Sequence, residues 1–294
     1  MAMKPLDILL ALIVPVLWGF GFAIAKPTVE HFPPLMLMAM TYGITALCLC
    51  RRIPSIKTPF LTMNLLALFI ATLQAGLIFY GLRGLPASTA VLLLQSSVPF
   101  SVLFAWPMAG EKPTLARIVG MAISFAGILV IVGAPQEASS WIPAMLMLAG
   151  AAVWAIGQAG ARRLSRDDGT TLTAAISLYA LPQMILASAV LETGQWAALT
   201  SAAPADWARF AVFSLFGFVL AYTIWYSLLR RYRVDQVTPI SLLMPVVGVI
   251  SGVLMLGETL TIAEVIGGAI VMAGLAVVVL APGQAPAPAE APGG

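Results

Sequence analysis

The chain has 294 residues, of which 61% are hydrophobic and 9% charged, with a formal net charge of +3. A soluble domain carries about 25% charged residues, so this composition excludes a water-soluble globule. The positive excess is spread along the chain and does not mark a nucleic-acid partner.

A bilayer core about 30 Å thick is crossed by about 20 apolar residues in helix, because a helix satisfies its own backbone groups without water. Charge-free windows run over 8–25, 32–50, 58–82, 84–110, 118–136, 138–161, 169–191, 210–229, 236–257 and 265–289. They predict an all-α integral membrane protein with ten transmembrane helices and no soluble domain between them. In the first window Ala23-Ile24-Ala25 imitates a signal-peptide cleavage site. Lys26-Pro27 is an awkward new terminus, however, and the window is read as a retained helix. In the second window Cys48 and Cys50, two apart on one helix, point to different faces and predict neither a disulfide nor a metal site. Residues 282–294, a Pro/Ala/Gly run, read as a disordered cytoplasmic tail.

With the N-terminus inside, the inner segments hold Lys4, Arg51, Arg52, Lys57, Lys112, Arg117, Arg162, Arg163, Arg166, Arg230, Arg231 and Arg233. The outer ones hold only Lys26, Arg83 and Arg209. Such a bias sets orientation and predicts an even number of spans with both termini in the cytoplasm of a bacterial inner membrane.

Residues 110–132 align without gaps to 257–279, with eleven of 23 positions identical. The informative matches are Gly110-Glu111 on Gly257-Glu258, Thr114 on Thr261, Gly120 on Gly267 and Gly127 on Gly274. At a slightly different offset Pro99 falls on Pro245 and Tyr80 on Tyr226, and earlier Trp18 and Gly21 fall on Trp154 and Gly157. The chain therefore divides into two repeats, 1–136 and 137–281. A five-helix unit leaves on the side opposite to its start, so its second copy is inverted, a construction used by secondary transporters.

On these motifs the chain resembles the EamA family of the drug/metabolite transporter superfamily. The likeness rests on Trp18-Gly19, on Pro99 and Pro245, on Gly110-Glu111 and Gly257-Glu258, and on the Gly-spaced last helix of each half. It covers 1–281 and implies ten helices in two inverted halves. Within the family the overall character looks most like the YddG-type exporters of aromatic and other amino acids and of methyl viologen; export in place of import rests on that likeness alone. One departure is Met40-Thr41-Tyr42 in the second helix, where many members carry an Arg.

The spans themselves offer aromatic and uncharged polar groups. The expected substrate-binding residues are Trp18 and Phe22; Gln74, Phe79 and Tyr80; Gln95, Ser96 and Phe100; Trp154 and Gln158; Tyr179; Tyr222 and Tyr226; and Ser241. Trp154 with Gln158, and Tyr222 with Tyr226, are four apart and share a face. Trp18 and Trp154, at matching repeat positions, are expected to face one cavity. Pro99 and Pro245 each remove a mid-helix hydrogen bond, and broken helices at corresponding places point to a transporter's site. With Gly248 and Gly252, a GxxxG pair that admits a neighbouring backbone, they are the expected gating elements. Glu111 and Glu258 read first as helix-end caps and second as gating groups. His31, in an outer loop, reads as solvated.

Phosphorylated solutes need fixed cations near the midplane, and none stands there. The expected cargo is thus an amino acid, aromatic or otherwise apolar and neutral, or a planar organic cation. Another small neutral metabolite, in either direction, is the alternative. No phosphate-binding loop for ATP is present, no cofactor is expected, and one loop His with two same-helix Cys supplies no set for an intramembrane enzyme. A non-transporting assembly subunit is the remaining rival. The lipid bilayer and the small solute are the expected partners, and a monomer is the expected unit.

Overall fold

The computed structural model describes residues 3–109, 112–133, 141–232 and 234–281. Ten helices carry the architecture: α1 (Pro5–His31), α2 (Pro34–Cys48), α3 (Phe60–Arg83), α4 (Ala87–Met108), α5 (Leu115–Val132), α6 (Trp141–Leu164), α7 (Gly169–Leu191), α8 (Pro204–Leu229), α9 (Pro239–Leu256) and α10 (Ile262–Leu280). The described residues include no strand. Nine of these helices are long and apolar enough to cross a membrane. The tenth expected span, window 32–50, is realised only as α2, whose 15 residues reach about 22 Å. Its flanks are sheltered by protein, with Phe32, Leu37 and Met38 fully buried, which is the condition under which non-helical backbone is tolerated at membrane depth. Gly110, Glu111, the 136/137 repeat boundary and the tail 282–294 lie outside the described residues.

Proline at or just before the first turn starts α1, α2, α4, α8 and α9, where its missing N–H costs nothing. At several other helix starts free N–H groups are met by side-chain caps. Asp168 caps its own α7, at 3.0 Å from Thr170 N and 3.1 Å from Thr171 N. Thr261 and Glu264 form a reciprocal capping box on α10. Other contacts to helix starts come from acids distant in the sequence. Asp167 accepts from Lys57 N and Thr58 N ahead of α3, Glu192 from Leu35 N and Met36 N of α2, and Glu258 from Ala87 N and Ser88 N of α4. Gly257 closes α9 at φ 68°, a left-handed position that suits glycine.

These contacts sort into two faces. On the basic face, Arg231 and Tyr232 hold Asp7, Asp167 holds the start of α3, and Arg163 donates to Met108 O. On the far face, Lys26 donates to Leu82 O and Arg83 O, Glu192 holds α2 and Glu258 holds α4.

Between the faces, the main packing partners are α1 with α9 and α8, α6 with α3 and α4, α2 with α7, α4 with α9, and α5 with α10. The last pair runs antiparallel through reciprocal glycines. A Cβ on Gly120 would stand 2.8 Å from Gly274 O, one on Gly127 2.7 Å from Gly267 O, and one on Gly274 2.6 Å from Gly120 O. Such backbone proximity is open only to glycine.

Four of the helices are irregular within the membrane. In α3 and α8 the turns widen to π-helix over Leu68–Leu73 and Phe213–Leu220, within one residue of the offset at which Tyr80 matches Tyr226. In α4 the α-helix is interrupted at Gln95-Ser96, where tight turns run from Gln95 N to Leu92 O and from Val98 N to Gln95 O. In α9 a 3₁₀ stretch over Thr238–Leu242 precedes the α-helix. Gln95 and Ser241 are the residues four before Pro99 and Pro245, the position whose carbonyl a helical proline crowds and to which it cannot donate the usual i→i−4 hydrogen bond.

Candidate functional site

The irregular helices surround a cavity of about 360 Å³ lined from α1, α3, α4, α6, α8 and α9. Its walls include Trp18 and Phe22, Gln74 and Phe79, Gln95, Trp154 and Gln158, Tyr222 and Tyr226, and Ser241, all expected from the sequence. Trp18 and Trp154 do line one space. It extends from Leu229 and Ser241, at the basic-face ends of α8 and α9, to Ala25 and Phe79 towards the far face. There Phe79 packs edge-on against Phe213, ring centres 5.6 Å apart, and Phe32, Leu82 and Leu85 are buried beyond.

Aromatic rings dominate the walls. Trp18 lies 5.4 Å from Tyr222 and 5.5 Å from Trp225, and Tyr222 stacks on Tyr226 at 6.1 Å. The π segment of α8 accounts for much of this: its wide turns bring Phe213, Gly217, Phe218 and Tyr222 to the cavity together. An α-helix would rotate some of them away. Polar groups come from Gln74, Gln95, Gln158, Ser97 and Ser241. Among the described residues, no Asp, Glu, Lys, Arg or His side chain lines it.

Four expected residues stand elsewhere. Tyr80 donates to Glu192 at 2.9 Å on the far side. Phe100 stacks on Phe104 and meets Phe125. Tyr179 packs on Phe60 with centroids 5.5 Å apart. Ser96 is fully buried, and its Oγ has no hydrogen-bond partner among the described residues. Tyr80 and Ser96 each stand one residue from a cavity residue, a turn of about 100° along the helix, whereas Tyr179 belongs to α7, which contributes nothing to the lining.

Of the expected gating elements, Pro99 and Pro245 are both buried just after the helix breaks. Gly248 faces Val91 of α4, and Gly252 meets the carboxylate of Glu258. A Cβ on Gly19 would lie 2.8 Å from Met244 O, so α1 closes on the same stretch of α9. Glu258 accepts from Ala87 N, from Ser88 N at 2.9 Å and from the Ser88 hydroxyl at 2.6 Å. His31, read as solvated, is half-buried with Nε2 3.0 Å from Ala198 O.

The sequence reading missed Trp225, Phe213 and Phe218 in the wall, and Glu192 outside it. Glu192 is buried and also takes the Ser188 hydroxyl at 2.7 Å; an acid directly after a 23-residue apolar helix was its one signal. On the basic face, burial pushes the Asp168 carboxyl up. The N–H and hydroxyl of Thr171, the N–H of Thr170 and the charge of Arg52 outweigh this and hold it below the ordinary carboxylate range. Among the described residues no three His, Cys, Asp or Glu side chains gather to hold a metal ion.

Two stretches of the chain, 6–133 and 141–280, match the EamA-like transporter family. A Salmonella typhimurium protein named "Probable amino-acid metabolite efflux pump" is 31% identical over 279 residues, 92% of this chain and 93% of that protein. Its namesake in Escherichia coli K12 is 30% identical over 282 residues, with the same coverage. The "S-adenosylmethionine/S-adenosylhomocysteine transporter" of Chlamydia trachomatis is 25% identical over 264 residues, 83% of this chain and 80% of that one. A solved crystal structure at 20% identity shares the fold, with a TM-score of 0.65 over 95% of this chain and 98% of the other.

Proposed function

Because the chain belongs to the EamA-like transporter family, we propose that it is a secondary transporter exporting amino acids across a bacterial inner membrane by alternating access. Its cargo is aromatic and other apolar or neutral amino acids, together with planar organic cations. The observation that carries this reading is the cavity: ring faces, amides and hydroxyls without a fixed charge, placed where two broken helices meet. A volume of about 360 Å³ falls in the range of about 300–1,000 Å³ usual for small-molecule sites. Ring faces attract a cation or an ammonium group by their quadrupole, and the amides and hydroxyls supply donors for a carboxylate. A phosphorylated solute would find no cation among the described lining residues to meet it. Export is the activity in the names of the Salmonella and Escherichia relatives.

Alternating access follows from reading 1–136 and 137–281 as inverted five-helix halves. Three observations support it. The family matches in two stretches. Exchanging α1–α5 with α6–α10 carries the α1–α9 packing onto α6–α4 and the α1–α8 packing onto α6–α3, and leaves α2–α7, α4–α9 and α5–α10 paired as before. The equivalent helices α5 and α10 cross antiparallel through glycines at equivalent positions.

In the state described, α4 packs on α9 through Ala87–Leu94, and after the break at Gln95-Ser96 its second part packs chiefly on α6. The far ends of α4 and α9 are thus closed and their basic-face ends parted. The inverted halves would exchange these roles, with α4 and α9 scissoring about Gln95 and Ser241. Placed by its basic residues, the basic face is cytoplasmic, both termini lie inside, and the cavity as described is open inward, ready to load an export substrate.

The test is flux through purified protein in liposomes with labelled phenylalanine, leucine, methyl viologen and a sugar phosphate. Movement of the amino acids and the cation, without the sugar phosphate, is the expected result. Movement of the sugar phosphate alone would overturn the argument from missing cations.

A further inference from the structure

A second hollow, of about 510 Å³, opens on the far face between the ends of α1, α3 and α7 and the short helix Gln195–Ser201. Its chemistry is the reverse of the central cavity's. Glu30, His31, Tyr80, Arg83 and Glu192 contribute to its lining, whereas the central cavity has no such charge. The two hollows are neighbours along one line: Phe79 belongs to the central cavity and the next residue, Tyr80, to this vestibule. The Phe79–Phe213 contact lies on the central cavity's side of that boundary.

The charges of the vestibule are unequally engaged. Glu192 already accepts from Leu35 N, Met36 N, the Tyr80 hydroxyl and the Ser188 hydroxyl. Glu30 pairs with Lys26 through one oxygen at 3.1 Å. His31 holds Ala198 O and lies 3.9 Å from Asp206. Arg83 is exposed and, among the described residues, its guanidinium has no carboxylate within ion-pair distance. A planar guanidinium beside a polar hollow is matched to a carboxylate, which it holds through two parallel hydrogen bonds.

We propose that the vestibule is a second binding site, for solutes that carry a carboxylate, with Arg83 holding that group and Glu30 facing an α-ammonium where one is present. That the ligand is an amino acid rests on the function proposed above. In the central cavity a zwitterion meets only rings, amides and hydroxyls, so its charges are read at the far face. Selection for the carboxylate is then imposed where the solute leaves, and organic cations pass Arg83 without being held.

The test uses the full chain in nanodiscs. Cys48 and Cys50 are exposed and are first replaced by Ala. Ala197→Cys, in the vestibule wall, then reports occupancy through its rate of maleimide labelling, with Thr193→Cys as a second reporter. L-Phenylalanine is expected to slow labelling at least fivefold. L-Phenylalaninamide, which lacks the carboxylate, is expected to leave it unchanged, and Arg83→Gln to abolish protection by phenylalanine. Equal protection by both probes, protection by neither, or protection that persists in Arg83→Gln overturns the proposal. Labelling is read without transport, so a protein that protects Ala197→Cys yet moves no amino acid would leave this site standing and refute the proposed function.

Discussion

Replacing Glu258 by Gln tests how the far face is held shut. The carboxylate joins the end of α9 to the start of α4 by accepting from two backbone N–H groups and the Ser88 hydroxyl. A hydrogen bond to a charged group contributes about 1.5–3 kcal/mol. Gln keeps one acceptor oxygen but turns an NH₂ towards a donor, so at least one of the three contacts is lost. The net cost is about 2 kcal/mol, roughly a 30-fold shift of a two-state equilibrium towards the far-open form. Ala87 is fully buried beneath this contact, so Ala87→Cys, in a background without Cys48 and Cys50, reports opening by its rate of reaction with an impermeant maleimide. The rate should rise about 10–30-fold in Glu258→Gln. An unchanged rate, in a variant whose thermal stability is also unchanged, would refute a latch at this position.

Other changes separate the cavity from the scaffold. Trp18→Ala and Trp154→Ala should each weaken phenylalanine binding about tenfold, the scale of one lost aromatic contact, whereas Tyr179→Ala, outside the cavity, should lower the melting temperature and leave affinity intact; calorimetric titration and thermal unfolding distinguish the two. In Gly127→Ala the added methyl meets Val271 N at 2.6 Å and Gly267 O at 2.7 Å. Backbone cannot rotate aside, so α5 and α10 must part, at about 1–3 kcal/mol, seen as a loss of several degrees in melting temperature. Asp168→Ala should remove a helix cap worth about 1 kcal/mol. Since the folded-state carboxyl of Asp168 is held low, its contribution is full above the unfolded carboxylate range and fades as pH falls through the folded value. The wild type should therefore lose its advantage over Asp168→Ala only in acid, and an advantage constant with pH would contradict the cap.

Much of this architecture was legible in composition and periodicity, because lipid forces long apolar windows and duplication leaves matched prolines and glycines. The breaks in α4 and α9 followed from Pro99 and Pro245, since a proline's effect falls on a fixed residue four places back. The π segments of α3 and α8 have no such marker: Leu68–Leu73 and Phe213–Leu220 are ordinary apolar sequence, and widened turns arise from packing. Hence Trp225, Phe213 and Phe218 were not expected in the wall, while Tyr80, a single residue past Phe79, lines the neighbouring hollow. The short α2 was hidden as well, because hydropathy counts apolar residues and does not see Pro33-Pro34 fixing its start or the tight turn over Cys50–Ser55 ending it. Glu192 and Glu258 looked like ordinary helix-end acids. Their partners lie about 157 and 171 residues away in sequence, a pairing that only the fold reveals.

The claim that one aromatic cavity is exposed to the two faces in turn is tested most directly by two distances in one experiment. Spin labels at Gly84 and Thr259 follow the far ends of α4 and α9, and labels at Lys112 and Ile240 follow their basic-face ends. Both pairs are measured in nanodiscs with and without saturating phenylalanine. Alternating access requires changes of opposite sign, the far pair lengthening in the population in which the basic-face pair shortens. Two distances that lengthen or shorten together, or that stay fixed while phenylalanine is demonstrably bound, would contradict it.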